Sequence, residues 1–166
     1  MARNEVSADG TEFTIPAARH KSKRDFLVPL SKAAQAVLAQ VPVIGSKGLV
    51  FTTNGEVPIS GFSKTKRAFD KAVLDELRKS DPRAKALERW TNHDLRRTAR
   101  SLMSRAAVPP NHAERALGHV IAGVQGTYDR YQYAAEKRQA FEVLAAQIAR
   151  ILNPKNKVIP IASVGR

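Results

Sequence analysis

The sequence contains no cysteine. That removes disulfide scaffolds, thiolate metal sites and cysteine nucleophiles from consideration. Aromatic residues are scarce at 6%, with one tryptophan and three tyrosines. No uncharged apolar run approaches the roughly 18 residues that a membrane span needs. The start, Met1-Ala-Arg-Asn-Glu5, has no apolar stretch of the kind that directs secretion. Acidic residues are also few: 15 against 28 Lys and Arg, a net charge of +13 on 166 residues. What remains is 43% hydrophobic and 26% charged, the balance of a globular chain, at a length suited to one domain. These features predict a soluble, cytoplasmic domain that binds a polyanion and no membrane.

The positive charge is grouped. Arg19, Lys21, Lys23 and Arg24 form one cluster, Lys64, Lys66, Arg67 and Lys71 a second, and Arg96, Arg97, Arg100 and Arg105 a third. Separated clusters of this kind suit contacts to successive phosphates of a nucleic acid, and Lys23, Arg24, Lys64, Lys66, Arg97 and Arg100 are the expected contacts.

Glu12-Phe-Thr-Ile-Pro16 alternates polar and apolar residues, and Phe26-Leu-Val-Pro-Leu30 is apolar and β-prone up to Pro29. Between them lies a basic, turn-like segment, so the pair reads as an antiparallel hairpin with a cationic tip. Ser31 offers an N-cap to a helix over about 32–41. A loop region from Gly45 to Gly61 holds a short expected strand, Leu49-Val-Phe51. Phe62, Phe69, Val73 and Leu77 recur at helical spacing and predict a helix to about Lys79. Further helices are expected from near His93 to about Ala106, from Pro109-Pro110 to Gly118, and over about 134–152. The order is a small β element followed by mostly helices, an α+β fold. One domain over 1–152 is expected, with a flexible tail over 153–166.

Two constellations carry chemistry. His93-Asp-Leu-Arg96 places His93 and Arg96 on one face at the start of a helix, with Arg100 a turn further on. A helix N-terminus attracts anions, and a guanidinium fork matches two phosphate oxygens, so the group can clamp a phosphate. Read by itself it is also a solvated basic helix. The second is Leu117-Gly-His119, followed nine residues later by Tyr128, with Tyr131 and Tyr133 close behind. A tyrosine becomes a nucleophile only when cationic neighbours favour loss of its proton; the alternative is that the three tyrosines pack between helices. A zinc site from His93, His112 and His119 has no metal-like spacing and is not expected.

In combination, the order His93-x-x-Arg96, Leu-Gly-His119, Tyr128 resembles the catalytic domain of the tyrosine recombinases, the phage-integrase family. The strings Trp90-Thr-Asn-His-Asp-Leu-Arg-Arg-Thr98, Val108-Pro-Pro-Asn-His-Ala-Glu-Arg-Ala-Leu-Gly-His119, Gly126-Thr-Tyr-Asp-Arg-Tyr131 and Ala134-Ala-Glu-Lys-Arg138 extend the match over about 11–152, in the manner of the prophage branch. The resemblance implies site-specific recombination of double-stranded DNA through a 3′-phosphotyrosyl link, with no metal or other cofactor. It makes Tyr128 the nucleophile, and puts Arg96, His93 and His119 around the phosphate. It gives the general acid to Lys21, with Lys23 and Arg24 as rivals on the same tip. The last helix carries an apolar stripe (Phe141, Leu144, Ile148, Ile151, flanked by Lys137, Arg138 and Arg150) that must pack on something: its own domain, or, as the resemblance implies, a neighbouring subunit of a tetramer on DNA. The pattern's first arginine would lie upstream of the hairpin and Arg3 does not match it, so the chain is expected to be a C-terminal portion of an integrase. A binding module without chemistry, and a phosphotyrosyl nuclease or topoisomerase-like enzyme, are the competing readings.

Overall fold

The computed structural model describes residues 1–119 and 131–154. Strands β1 (Glu12–Ile15) and β2 (Phe26–Pro29) pair antiparallel, with Glu12 opposite Pro29 and Ile15 opposite Phe26. Helices α1 (Lys32–Ala39), α2 (Phe62–Ser80), α3 (Asn92–Arg105), α4 (Pro110–Ala116) and α5 (Ala134–Leu152) follow, giving an α+β fold. The expected tail lies, beyond Pro154, outside the described residues.

Local chemistry sets most of these boundaries. Pro29 forms the last rung of β2, and the next N–H, that of Leu30, donates to the Thr11 carbonyl at 2.8 Å. Ser31 caps α1 by accepting from the Ala34 N–H. The Asp94 carboxylate accepts from both the N–H and the hydroxyl of Thr91, each at 2.8 Å, and so pins the first turn of α3.

The strand expected over Leu49–Phe51 shrinks to one bridge, between Leu49 and Ala2. The Val50 N–H donates to the Met1 carbonyl at 3.1 Å, and the Phe51 carbonyl accepts from the Ile59 N–H at 2.9 Å. The chain crosses itself where Gly45 meets Gly55, so closely that a Cβ on Gly45 would lie 2.8 Å from the Gly55 Cα. The Thr52 hydroxyl and the Asn54 carboxamide then take the N–H groups of residues 55–57.

The core is small and lies between α3, α4 and α5. Met103 and Ala113 are wholly buried, with Ala116, Ala140 and Val108 beside them and Phe141, Val143 and Leu144 closing the edge. Alanines on α4 and α5 let these two helices approach closely, and Met103, flexible along its stem, fills the gap between them. By contrast, no residue of α2 is buried. Its described tether is Trp90, which precedes α3: the indole N–H donates to Asp70 at 2.9 Å, and Phe69 meets the ring edge-on at 6.2 Å.

Helix α5 packs within its own chain, against α3, α4 and β2. Phe141 and Leu144 of the expected stripe join the core, while Ile148 and Ile151 stay 40% and 53% exposed. Lys137, a flank of that stripe, is buried. Its ammonium donates to the Leu27 carbonyl at 2.7 Å and sits 4.9 Å from the Phe26 ring. The one-face pattern of the helix is interrupted there because the open carbonyl edge of β2 supplies an acceptor for a buried donor. Burial holds the Lys137 ammonium below its ordinary pKa, Glu12 opposing and Arg115 reinforcing the shift.

Candidate active site

Helix α3 presents His93 and Arg96 from its first turns, His93 exposed and Arg96 half-buried. Opposite stands the end of α4. Leu117 is its C-cap, and Gly118 follows with φ +67°, a left-handed conformation that glycine adopts without steric cost. The Gly118 N–H donates to the Arg115 carbonyl at 3.1 Å and the His119 N–H to the Glu114 carbonyl at 2.9 Å. This is the paired Schellman closure, and it folds His119 back beside Glu114.

The side chains reproduce that backbone contact. The Glu114 carboxylate accepts from His119 Nδ1 and, on its other oxygen, from Arg100 Nε at 2.7 Å. Arg100 also donates to the Ser104 hydroxyl. On the far side of the imidazole, Arg96 Nε donates to His119 Nε2 at 3.2 Å, and a terminal nitrogen of Arg96 donates to the Leu117 carbonyl. A continuous chain therefore runs Arg96–His119–Glu114–Arg100. The hydrogen bond from Arg100, then that from His119, holds Glu114 below the usual carboxylate pKa against the opposing effect of partial burial.

The hairpin reaches the same turn through Phe26. A Cβ on Gly118 would come within 3.0 Å of the Phe26 ring, and the His20 ring stacks on Phe26 at 4.9 Å and 9°. Lys21 is the next residue, exposed on the tip with Lys23 and Arg24. The tip is an organised loop: Asp25 accepts from the Ala17 N–H at 2.7 Å across its neck, and Lys23 adopts φ +55°. Gly118→Ala is expected to strain the turn twice, through its φ and through the ring, and to cost about 1–3 kcal/mol in chemical denaturation. Unchanged stability would show that Phe26 moves aside freely.

Of the expected catalytic residues, the structure brings Arg96 and His119 into contact and leads the chain of contacts from Gly118 through Phe26 and His20 to the loop of Lys21. Tyr128 lies outside the described residues. Among the expected DNA contacts, Lys23, Arg24, Lys64 and Arg97 are exposed. Lys66 is paired with Asp70 and lies 4.3 Å over the Trp90 ring, and Arg100 is held by Glu114. Glu114 and Phe26 were not expected at the site. Glu114 had a signal, since a glycine just past a helix end brings the next residue against the one five positions earlier; Phe26 had none, because its neighbours come from distant segments.

No group of three or more His, Asp or Glu side chains suited to a metal occurs among the described residues, and no described helix is long and apolar enough to cross a membrane. The sequence model of the phage integrase family matches residues 1–137, so the chain belongs to the phage integrase family, the tyrosine recombinases. Prophage integrase IntA of Escherichia coli strain K12 is 30% identical to it over 138 residues, which is 81% of this chain. The chain spans 30% of the length of that relative. No solved structure matches it significantly.

Proposed function

We propose that the chain carries the strand-cleaving and rejoining centre of a site-specific DNA recombinase. The observation that carries this reading is the direct contact of Arg96 with His119, two residues 23 positions apart, at the mouth of a helix. Arg96 supplies a permanent charge and a donor fork for the non-bridging phosphate oxygens, and His93 and His119 add donors around them. The Tyr128 oxygen attacks the scissile phosphorus as its proton passes to water. The bond to the 5′ oxygen breaks, and that oxygen takes a proton from Lys21. A 3′-phosphotyrosyl link and a free 5′-hydroxyl result, and attack by a partner strand's 5′-hydroxyl reverses the chemistry without a cofactor. Double-stranded DNA is the substrate, and a tetramer on DNA is the working assembly.

Exposed cations should carry most of the binding. Affinity for duplex DNA is expected to fall steeply with salt, and Lys64→Gln should reduce the slope of log affinity against log salt by about 0.9. Lys66→Gln should change it by much less, because Lys66 already serves Asp70 and Trp90. Titration of a labelled duplex at several salt concentrations measures both, and affinity indifferent to salt would overturn the reading. A covalent adduct on a nicked duplex tests the chemical step.

A further inference from the structure

Glu114 has no part in the chemistry above, yet it touches His119 through both backbone and side chain. Its surroundings determine which ring nitrogen of His119 carries the proton. A guanidinium has only donors, so Arg96 Nε–H requires a lone pair on His119 Nε2. A neutral imidazole with a bare Nε2 must carry its proton on Nδ1, the nitrogen that faces Glu114. The Glu114 carboxylate, kept ionised by Arg100, is the acceptor that this proton needs. The alternative tautomer would set two N–H groups against each other at Arg96 and leave a lone pair facing a carboxylate.

We propose that Glu114 is a positioning residue of the site, fixing His119 as its Nδ1–H tautomer with Nε2 turned toward the phosphate-binding arginine. The proposal rests on the reading of Arg96 and His119 as phosphate ligands. In the DNA-free protein, Nε2 is a resting place for Arg96. When a phosphate draws Arg96 away, Nε2 becomes a donor to phosphate oxygen only by gaining a proton, and the resulting imidazolium faces the Glu114 carboxylate. Among the described residues, the charged groups around the ring are Glu114 on α4 and Arg96 and Arg100 on α3. The spacing that builds this pair is helical C-capping: Glu114 is the third residue from the helix end and His119 the second beyond its cap, the two positions that a Schellman turn brings together.

Nitrogen-15 NMR of ring-labelled, DNA-free protein at about pH 8, where an ordinary histidine is neutral, reads the tautomer directly. The wild-type His119 is expected to show a protonated Nδ1 and a bare Nε2. Glu114→Gln replaces an obligate acceptor by a group that both donates and accepts, and should move the tautomer ratio about tenfold or more toward Nε2–H. A wild-type ring protonated on Nε2 would overturn the assignment, whether or not the variant folds. So would an unchanged ratio in a folded Glu114→Gln protein. Because no DNA is present, a failure to form phosphotyrosyl adduct would count against the recombinase reading and leave the tautomer result standing.

Discussion

Tyr128→Phe is expected to abolish covalent capture of DNA on a nicked duplex while leaving duplex affinity unchanged. On the proposed mechanism the substitution removes the oxygen that would bond to phosphorus, and a loss of about 10³-fold or more follows for removal of a nucleophile. The assay is a denaturing gel of end-labelled substrate, run with the full-length gene product. Tyr131→Phe and Tyr133→Phe serve as controls. The Arg115 guanidinium lies 3.7 Å from the Tyr133 ring centroid and Tyr131 meets that ring edge-on at 4.7 Å, contacts that a phenylalanine ring retains. Adduct that survives in Tyr128→Phe would move the nucleophile to one of these two positions.

Met103→Ala is the second substitution with a large expected effect. Met103 is wholly buried at the junction of α3, α4 and α5, where its neighbours are mainly alanines and valine. Small neighbours cannot swing inward to fill the space it leaves, so transfer and cavity costs add, and the loss should be about 2–5 kcal/mol. For a domain of this size that corresponds to a fall in Tm on the order of 10 °C. Leu152→Ala, at a residue 72% exposed, should stay within about 0.5 kcal/mol. Equal effects from the two would mean that the core lies elsewhere. The first substitution acts on chemistry and the second on the platform. The platform matters because Arg96 and Glu114 belong to two helices that meet at Met103.

Much of this arrangement could be read along the chain because its causes are local. The hairpin follows from alternation in two short runs, the start of α4 from Pro110, its end from Gly118, and the full span of α5 from the periodicity of Phe141, Leu144 and Ile148. His93 and Arg96 share a face because three residues make nearly one helical turn. What could not be read depends on pairs that sequence distance hides. Nothing around Lys137 in the sequence announces its burial, which depends on the carbonyl of Leu27, 110 residues earlier. The same holds for Lys66 and Arg100: each appeared as free charge until Asp70 with Trp90, or Glu114 with Ser104, took up its donors. The strand at Leu49 is cut to one bridge with Ala2, its partners being the first residues of the chain, which the run itself does not reveal.

Helix α5 holds the hairpin through Lys137 on Leu27 and Arg138 on Glu12 at 2.8 Å, and holds the start of α1 through Glu142, which accepts from the Lys32 N–H at 3.0 Å. Each contact joins residues more than a hundred positions apart. A two-stranded hairpin alone is only marginally stable in water, so during synthesis this one waits, unsupported, while the intervening chain is made. Closure of such long loops is also the slow part of folding. The cationic loop that bears Lys21 therefore acquires its place only after the helix downstream of Tyr128 has left the ribosome. Until α5 exists, a nascent chain lacks the contacts that hold this loop's strands in place.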